Sequence, residues 1–176
     1  MRAPSGRTLR RPSTSALAAR RRGDKAVTAP FERRFTVRWS DVDGNGHLRN
    51  TAYSDFCSDT RMALLTAGGF GWDRFQAAGY GPVILREVIE YLREGKMAEA
   101  IRVDVVVAGL SPDVARWVFR HRMWRESGEE MARVEARGGW LDLATRRLVV
   151  PPPDLAEVLR AAPRGEPFEE LPPLRR

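Results

Sequence analysis

Val37-Arg38-Trp39-Ser40-Asp41-Val42-Asp43-Gly44-Asn45-Gly46-His47-Leu48-Arg49-Asn50-Thr51-Ala52-Tyr53 is the stretch on which the reading of this chain turns. At its start Phe35, Val37 and Trp39 alternate with Thr36, Arg38 and Ser40, a period of two that predicts a strand. The middle, Asp41 to Gly46, is turn chemistry: short carboxylates and Asn bond to nearby backbone, and glycine accepts positive φ. The end opens a helix predicted from about 47 or 49 to Ala67. Ala52, Tyr53, Phe56, Cys57, Ala63, Leu64 and Ala67 form its apolar stripe, with Asp55, Ser58 and Asp59 opposite and Gly68-Gly69 as the stop.

Outward from this stretch, Trp72 to Ala78 predicts a short helix with Asp73 near its start and Gly79 after its end. Four strand patterns follow. Pro82 to Arg93 places Val83, Leu85, Glu87, Ile89 and Tyr91 on one face. Glu99 to Leu110 places Ile101, Val103, Val105 and Val107 together, against Arg102 and Asp104. Val114 to Glu126 sets Ala115, Trp117, Phe119, His121 and Met123 against Arg116, Arg120 and Arg122. Glu130 to Leu143 aligns Ala132, Val134, Ala136 and Trp140. Breaks at Gly95, Ser111-Pro112 and Ser127-Gly128 are short, which predicts an antiparallel meander. Pro151-Pro152-Pro153 ends the sheet, Asp154 is placed to cap a short helix through Leu155, Val158 and Leu159, and the residues from Pro163 read as loose. A lone long helix must bury its stripe, and one face of a curved antiparallel sheet is the surface on offer. The fold class is therefore α+β, with the sheet wrapped around one helix.

A loop between a strand and a helix N-terminus has chemical uses. Free amides and the helix dipole there favour negative charge and can polarise a carbonyl. A carboxylate beside them can act as base or nucleophile, and glycines let a substrate approach the backbone. The plainer reading is that Asp41 and Asp43 only form an Asx turn and cap the helix.

The stretch resembles the opening of the hotdog-fold acyl-CoA thioesterases of the 4-hydroxybenzoyl-CoA thioesterase type, in its Arg38-Trp39, its Asp41-Val42-Asp43, its Gly46-His47 and its Asn50 and Tyr53. Arg61, Glu90-Tyr91-Leu92, Trp140-Leu141-Asp142 and Thr145-Arg146-Arg147 are also similar to that family, so the likeness runs from about Phe31 to Pro153. It implies an acyl-CoA substrate, no metal or redox cofactor, and protomers paired as a homodimer or dimer of dimers. Carried over, Asp43 is the catalytic carboxylate, the Asn50 N–H polarises the carbonyl, and His47 supports the site. Trp39, Gly46, Arg49 and Tyr53 would meet substrate, and Asp41 braces the loop. The chain departs from the family in having Arg49 before Asn50, and Leu92-Arg93-Glu94-Gly95-Lys96 after Tyr91. Those departures motivate an alternative, a non-hydrolytic hotdog protein that binds an acyl thioester or a protein partner.

Other chemistry is poorly supported. His47, His121 and Cys57 are too few and scattered for a zinc site. His121 reads as a satisfied core or interface histidine and Cys57 as a small buried residue. An acid on the long helix, Asp59, is a minor alternative to Asp43. The Arg116, Arg120 and Arg122 face reads as solvated, with CoA phosphates as its other reading. No G-x-S-x-G elbow, P-loop or full dinucleotide fingerprint occurs.

The charge is unevenly placed. The chain has 30 basic and 23 acidic residues, a net +7. Residues 1–23 hold seven arginines and no acid. Taking those seven from the 30 leaves 23 basic residues, which balances the 23 acidic ones beyond the arm. A nucleic-acid partner is thus not expected of the domain. Residues 1–30 read as a disordered basic arm, 31–153 as the hotdog domain and 154–176 as a helix and tail. The arm reads as a solvated tail or a misassigned start, as a transit peptide, or as a tether to nucleic acid or anionic lipid. The expected location is cytoplasmic, or an organellar matrix if the arm is a transit peptide. One cysteine excludes a disulfide scaffold, and no apolar run is long enough for a membrane span.

Overall fold

In a computed structural model of the chain, residues 29–175 are described, so the basic arm lies outside them but for its last two positions. The long helix is α1 (Asn50–Ala67), followed by α2 (Trp72–Ala78) at its expected bounds. The strands are β1 (Phe31–Thr36), β2 (Tyr80–Tyr91), β3 (Ala100–Leu110), β4 (Arg116–Arg125) and β5 (Glu130–Asp142). A two-residue β6 (Leu148–Val149), α3 (Pro153–Ala161) and β7 (Arg164–Glu170) complete the order. No helix among the described residues is long and apolar enough to cross a membrane.

The sheet runs β1-β3-β4-β5-β2. Only β3, β4 and β5 form the expected meander; β2 pairs with β5, so between residues 91 and 100 the chain passes β5 and β4 to reach β3. Short spacing had favoured neighbours in sequence, but strands on either side of α1 must clasp it from both flanks. The core lies between α1 and the concave face. Ile101, Val103, Val105 and Val107 of β3, with Trp117, Phe119 and Met123 of β4, are at most 1% exposed. A side chain buried so fully contributes about 1.5–3 kcal/mol. Gly138 of β5 is required by packing: a Cβ there would stand 2.1 Å from the Val83 carbonyl and 2.4 Å from the Trp117 ring.

Four local expectations are corrected. Trp39 is not on the first strand, which ends at Thr36; it opens a 3-10 turn (Trp39–Asp41). The Asp41 carboxylate accepts from the Arg38 N–H and draws the chain into that turn. Leu85 does not share the inner face of β2. The register shifts between Ile84 and Arg86, and Leu85 is 62% exposed. Glu87, Ile89 and Tyr91 then stand opposite the core-facing Ala136, Val134 and Ala132. On α1, Ala67 is exposed and Leu65 and Arg61 take places in the buried stripe.

The fourth concerns residues 154–176. Asp154 sits inside α3, Pro152 is its N-cap, and the segment from Pro163 is not loose. β7 pairs in parallel with the part of β3 that β1 does not reach. Arg137 holds Glu169 through two nitrogens at 3.0 and 2.7 Å, and the Leu171 N–H donates to the Leu110 carbonyl. An open strand edge has backbone groups to satisfy, and it recruits a segment whose own pattern is weak.

Candidate active site

Between Val42 and Asn50 the chain makes a hairpin-like loop locked by its own backbone. The Asp43 N–H donates to the His47 carbonyl at 2.8 Å, and the Gly46 N–H returns to the Asp43 carbonyl at 3.0 Å. Gly46 needs its φ of +80°, which other residues adopt only under strain. Leu48 N–H to Gly95 carbonyl (2.8 Å) pins the loop to the crossing segment, and Arg49 N–H to Asp41 carbonyl (2.8 Å) pins the helix entry. The buried Asp41 braces this arrangement as expected. It accepts 2.9 Å bonds from Arg38 N, Nε and Nη2, and the guanidinium holds its carboxyl below the usual carboxylate range.

A cleft of about 360 Å³ opens at the N-terminus of α1. The loop lines it with Asp43, His47 and Leu48, the helix with Asn50 and Tyr53, and the chain leaving β2 with Tyr91, Leu92, Arg93 and Glu94. Asp43 is exposed. Its Oδ1 accepts from the N–H groups of Asn45 (2.8 Å) and His47 (3.2 Å). The His47 and Asn45 bonds hold the Asp43 carboxyl below its usual range, so the carboxylate form prevails at neutral pH. The Asx turn of the plainer reading forms at Asp43 and occupies only one oxygen, but neither Asp41 nor Asp43 caps α1, whose N-cap is Arg49 with no side-chain cap bond. The first helical amides are free as well. Ala52 N–H reaches back to Arg49, while those of Asn50 and Thr51 have no hydrogen-bond acceptor among the described residues.

The other walls are fixed by contacts from distant parts of the chain. His47 Nε2 lies 3.2 Å from Glu94 Oε2. The Tyr53 hydroxyl donates to the Arg93 carbonyl at 3.2 Å, and its ring meets Tyr91 edge-on at 5.0 Å. The Tyr91 hydroxyl donates to the Asn50 carbonyl at 3.4 Å. Of the residues singled out from sequence, Asp43, His47, Asn50 and Tyr53 meet here. Trp39, Gly46 and Arg49 do not line the cleft. Trp39 is 82% exposed, Gly46 shapes the turn, and Arg49 pairs with Asp55 at 2.9 Å. Sequence reasoning missed Arg93 and Glu94 as wall residues, because nothing in a charged run tells that the strand before it ends beside the helix.

The remaining candidates fall elsewhere. His121 is 1% exposed; its Nδ1–H donates to the Asp104 carbonyl at 2.9 Å and its Nε2 accepts from Arg61 at 3.0 Å. That requires the neutral ring, and burial pushes its pKa down to about 3. Burial raises the Cys57 thiol to about 12, which leaves it unreactive. Asp59 is exposed on the far side of α1. A trough of about 380 Å³ on the outer sheet face holds Arg86, Arg120, Arg122 and Arg133 beside Glu90, Glu135 and Glu166. It is slightly larger than the cleft, yet most of its charges are already engaged. Arg120 pairs with Glu135 at 3.0 Å and Arg133 with Glu130 at 2.8 Å.

One long helix clasped by an antiparallel sheet in this strand order, with a glycine-bearing loop at the helix start, defines the hotdog fold. Residues 37–159 match the thioesterase-like superfamily, and the chain belongs to that family. Solved structures of the same fold include a 1,4-dihydroxy-2-naphthoyl-CoA thioesterase from Synechocystis, at 14% identity over 74% of this chain and 96% of that one, with a TM-score of 0.67. A Staphylococcus aureus protein solved in complex with CoA is similar at 19% identity over 80% and 90%, TM-score 0.69. A gentisyl-coenzyme A thioesterase is similar at 16% identity over 73% and 98%, TM-score 0.66. β1 and β7 lie outside the span that matches the family.

Proposed function

We propose that this chain is an acyl-CoA thioesterase, hydrolysing an acyl thioester to the free acid and CoA in the cleft at the start of α1. The observation that carries the reading is that Asp43, with one uncommitted carboxylate oxygen, lines the same cleft as the first residue of α1. The thioester carbonyl oxygen is received by the Asn50 and Thr51 amides, which stabilise the charge that develops on it. The second oxygen of Asp43 then attacks the carbonyl carbon, or takes a proton from a water that does. Collapse of the tetrahedral species breaks the C–S bond and releases CoA thiolate. In the nucleophilic route, water cleaves the acyl–Asp43 anhydride and regenerates the carboxylate. Tyr53, Tyr91 and Leu92 offer an apolar wall to the acyl group, while His47 and Glu94 flank the entrance. The CoA-bound relative and the named CoA thioesterases of the same fold support a CoA substrate.

The functional unit in this reading is a homodimer, or a dimer of dimers. Among the described residues β2 pairs with β5 only, and Ile84, Leu85, Val88 and Tyr91 along it, with Leu92 just past its end, are each 38–62% exposed. At the opposite end of the sheet stand β1 and β7, each paired with β3, and β1 exposes Glu32, Arg33 and Arg34 rather than apolar side chains. A bare apolar edge favours a second copy. Light scattering at twice or four times the chain mass is expected, and a monomer mass would overturn this part. For the chemistry, Asp43→Ala should keep the fold and lower turnover by about 10²-fold or more. The assay is thiol release over short, long and aromatic acyl-CoAs. Wild-type protein that binds acyl-CoA without releasing thiol would replace hydrolysis by the non-hydrolytic reading.

A further inference from the structure

Behind the cleft, α1 faces β2 across a polar seam that the proposed chemistry does not use. Arg61 is 6% exposed; its Nη1 lies 3.0 Å from His121 Nε2 and 3.6 Å from Glu87 Oε1, and its Nη2 donates to Ser58 at 2.7 Å. Glu87 Oε2 accepts from the Ser54 hydroxyl at 2.5 Å, and its Oε1 is buried with no hydrogen-bond partner among the described residues. Replacing a buried ion pair by apolar residues of similar volume is often neutral or stabilising, so this seam is poorly explained as a source of stability. It is better explained by what it joins. Ser54 follows Asn50 by one helical turn, and Glu87 precedes Tyr91 by four residues on the same face of β2. The shift before Arg86 puts Glu87, rather than a neighbour, opposite Ala136 and toward the helix. Among the described residues no strand holds β2 on its outer side.

We infer that Glu87 is a positioning residue: anchored by Arg61 and tied to Ser54, it holds the edge strand against α1 and so sets the distance between Tyr91 and the helix start across the cleft. Arg61 is itself fixed by His121, which is fixed by the Asp104 carbonyl, so the tether is referred back to the centre of the sheet. Loss of the tether leaves Asp43 and the amides intact but lets the opposite wall drift.

The kinetic readout rests on the thioesterase reading; the spectroscopic one does not. Three tyrosines, Tyr53, Tyr80 and Tyr91, can be labelled with 3-fluorotyrosine and followed by fluorine NMR. Tyr80 begins β2 at the end remote from the cleft and serves as the internal control. Ser54→Ala removes the tether while leaving the ion pair. The double variant R61M/E87L removes both charges together and keeps the volume. E87Q retains an acceptor for Ser54 and is the conservative rescue. In the first two, the Tyr91 resonance should shift or broaden while Tyr80 stays in place, and kcat/KM should fall by about tenfold, mainly through kcat. E87Q should remain within about threefold of wild type. An unmoved Tyr91 resonance, or Tyr80 moving as much as Tyr91, overturns the inference. Wild-type protein without hydrolysis sinks the thioesterase reading alone, and the Tyr91 signal still decides the role of Glu87.

Discussion

At its first turn α1 meets a loop whose polar groups are exposed and held by backbone N–H groups; about three turns further on it buries Arg61 among side chains. Both places gather charge beside the same helix, and they are fixed in opposite ways. Asp43 leans on amides of its own loop, which the backbone bonds between Asp43, Gly46 and His47 also brace. Arg61, Glu87 and His121 come from α1, β2 and β4, and Arg61 joins the other two, with Ser58, Ser54 and the Asp104 carbonyl completing their bonds in place of water. The first arrangement leaves one oxygen of an exposed carboxylate uncommitted. The second cannot spare a member.

The largest expected effect tests that contrast directly. Arg61→Leu strands Glu87 and takes the donor from His121, so it should cost about 3–5 kcal/mol of folding stability. Urea denaturation measures it, and a midpoint near that of wild type would erase the difference between the two clusters. Asp43→Ala is the counterpart. Its melting temperature should stay close to wild type while turnover collapses, because its partners are solvent-accessible backbone groups.

A smaller effect comes from pH. His121 is neutral in the fold with a pKa of about 3, against 6.5 for a free histidine. Between those values the unfolded chain takes up a proton that the native chain refuses, so stability falls as the pH is lowered through this window. From pH 6.5 to about 5 the loss should be about 2 kcal/mol. The carboxylates held low, such as Asp41 and Glu130, add their losses only at more acid pH. Urea midpoints measured down this range should therefore flatten in His121→Gln. A slope that persists there would assign the sensitivity to another group.

The site was legible in sequence to the extent that it is local. Asp43, Gly46, His47 and Asn50 occupy one loop, where spacing alone fixes which backbone groups a carboxylate can reach. Glu94 joins His47 only because the chain crosses the sheet after β2, and no pattern in Leu92-Arg93-Glu94 announces that crossing. Trp39 misled because alternation of three apolar residues cannot register the pull of Asp41 on the Arg38 amide. The helices α1 and α2, and the inward faces of β3, β4 and β5, could be read because their periods are those of the elements themselves.

By itself, then, the sequence determined α1, α2 and the strands β2 to β5, the helix-on-sheet layer and the acid-bearing loop, all of which follow from contacts within a few residues or from which side of an element is apolar. Tertiary structure alone decided the rest. It set β2 beside β5, drew β7 onto the open edge of β3, and turned Leu85 out of the face it shared by alternation with Glu87. Those outcomes depend on edges and volumes left over once other strands have paired, and such remainders exist only in the folded chain.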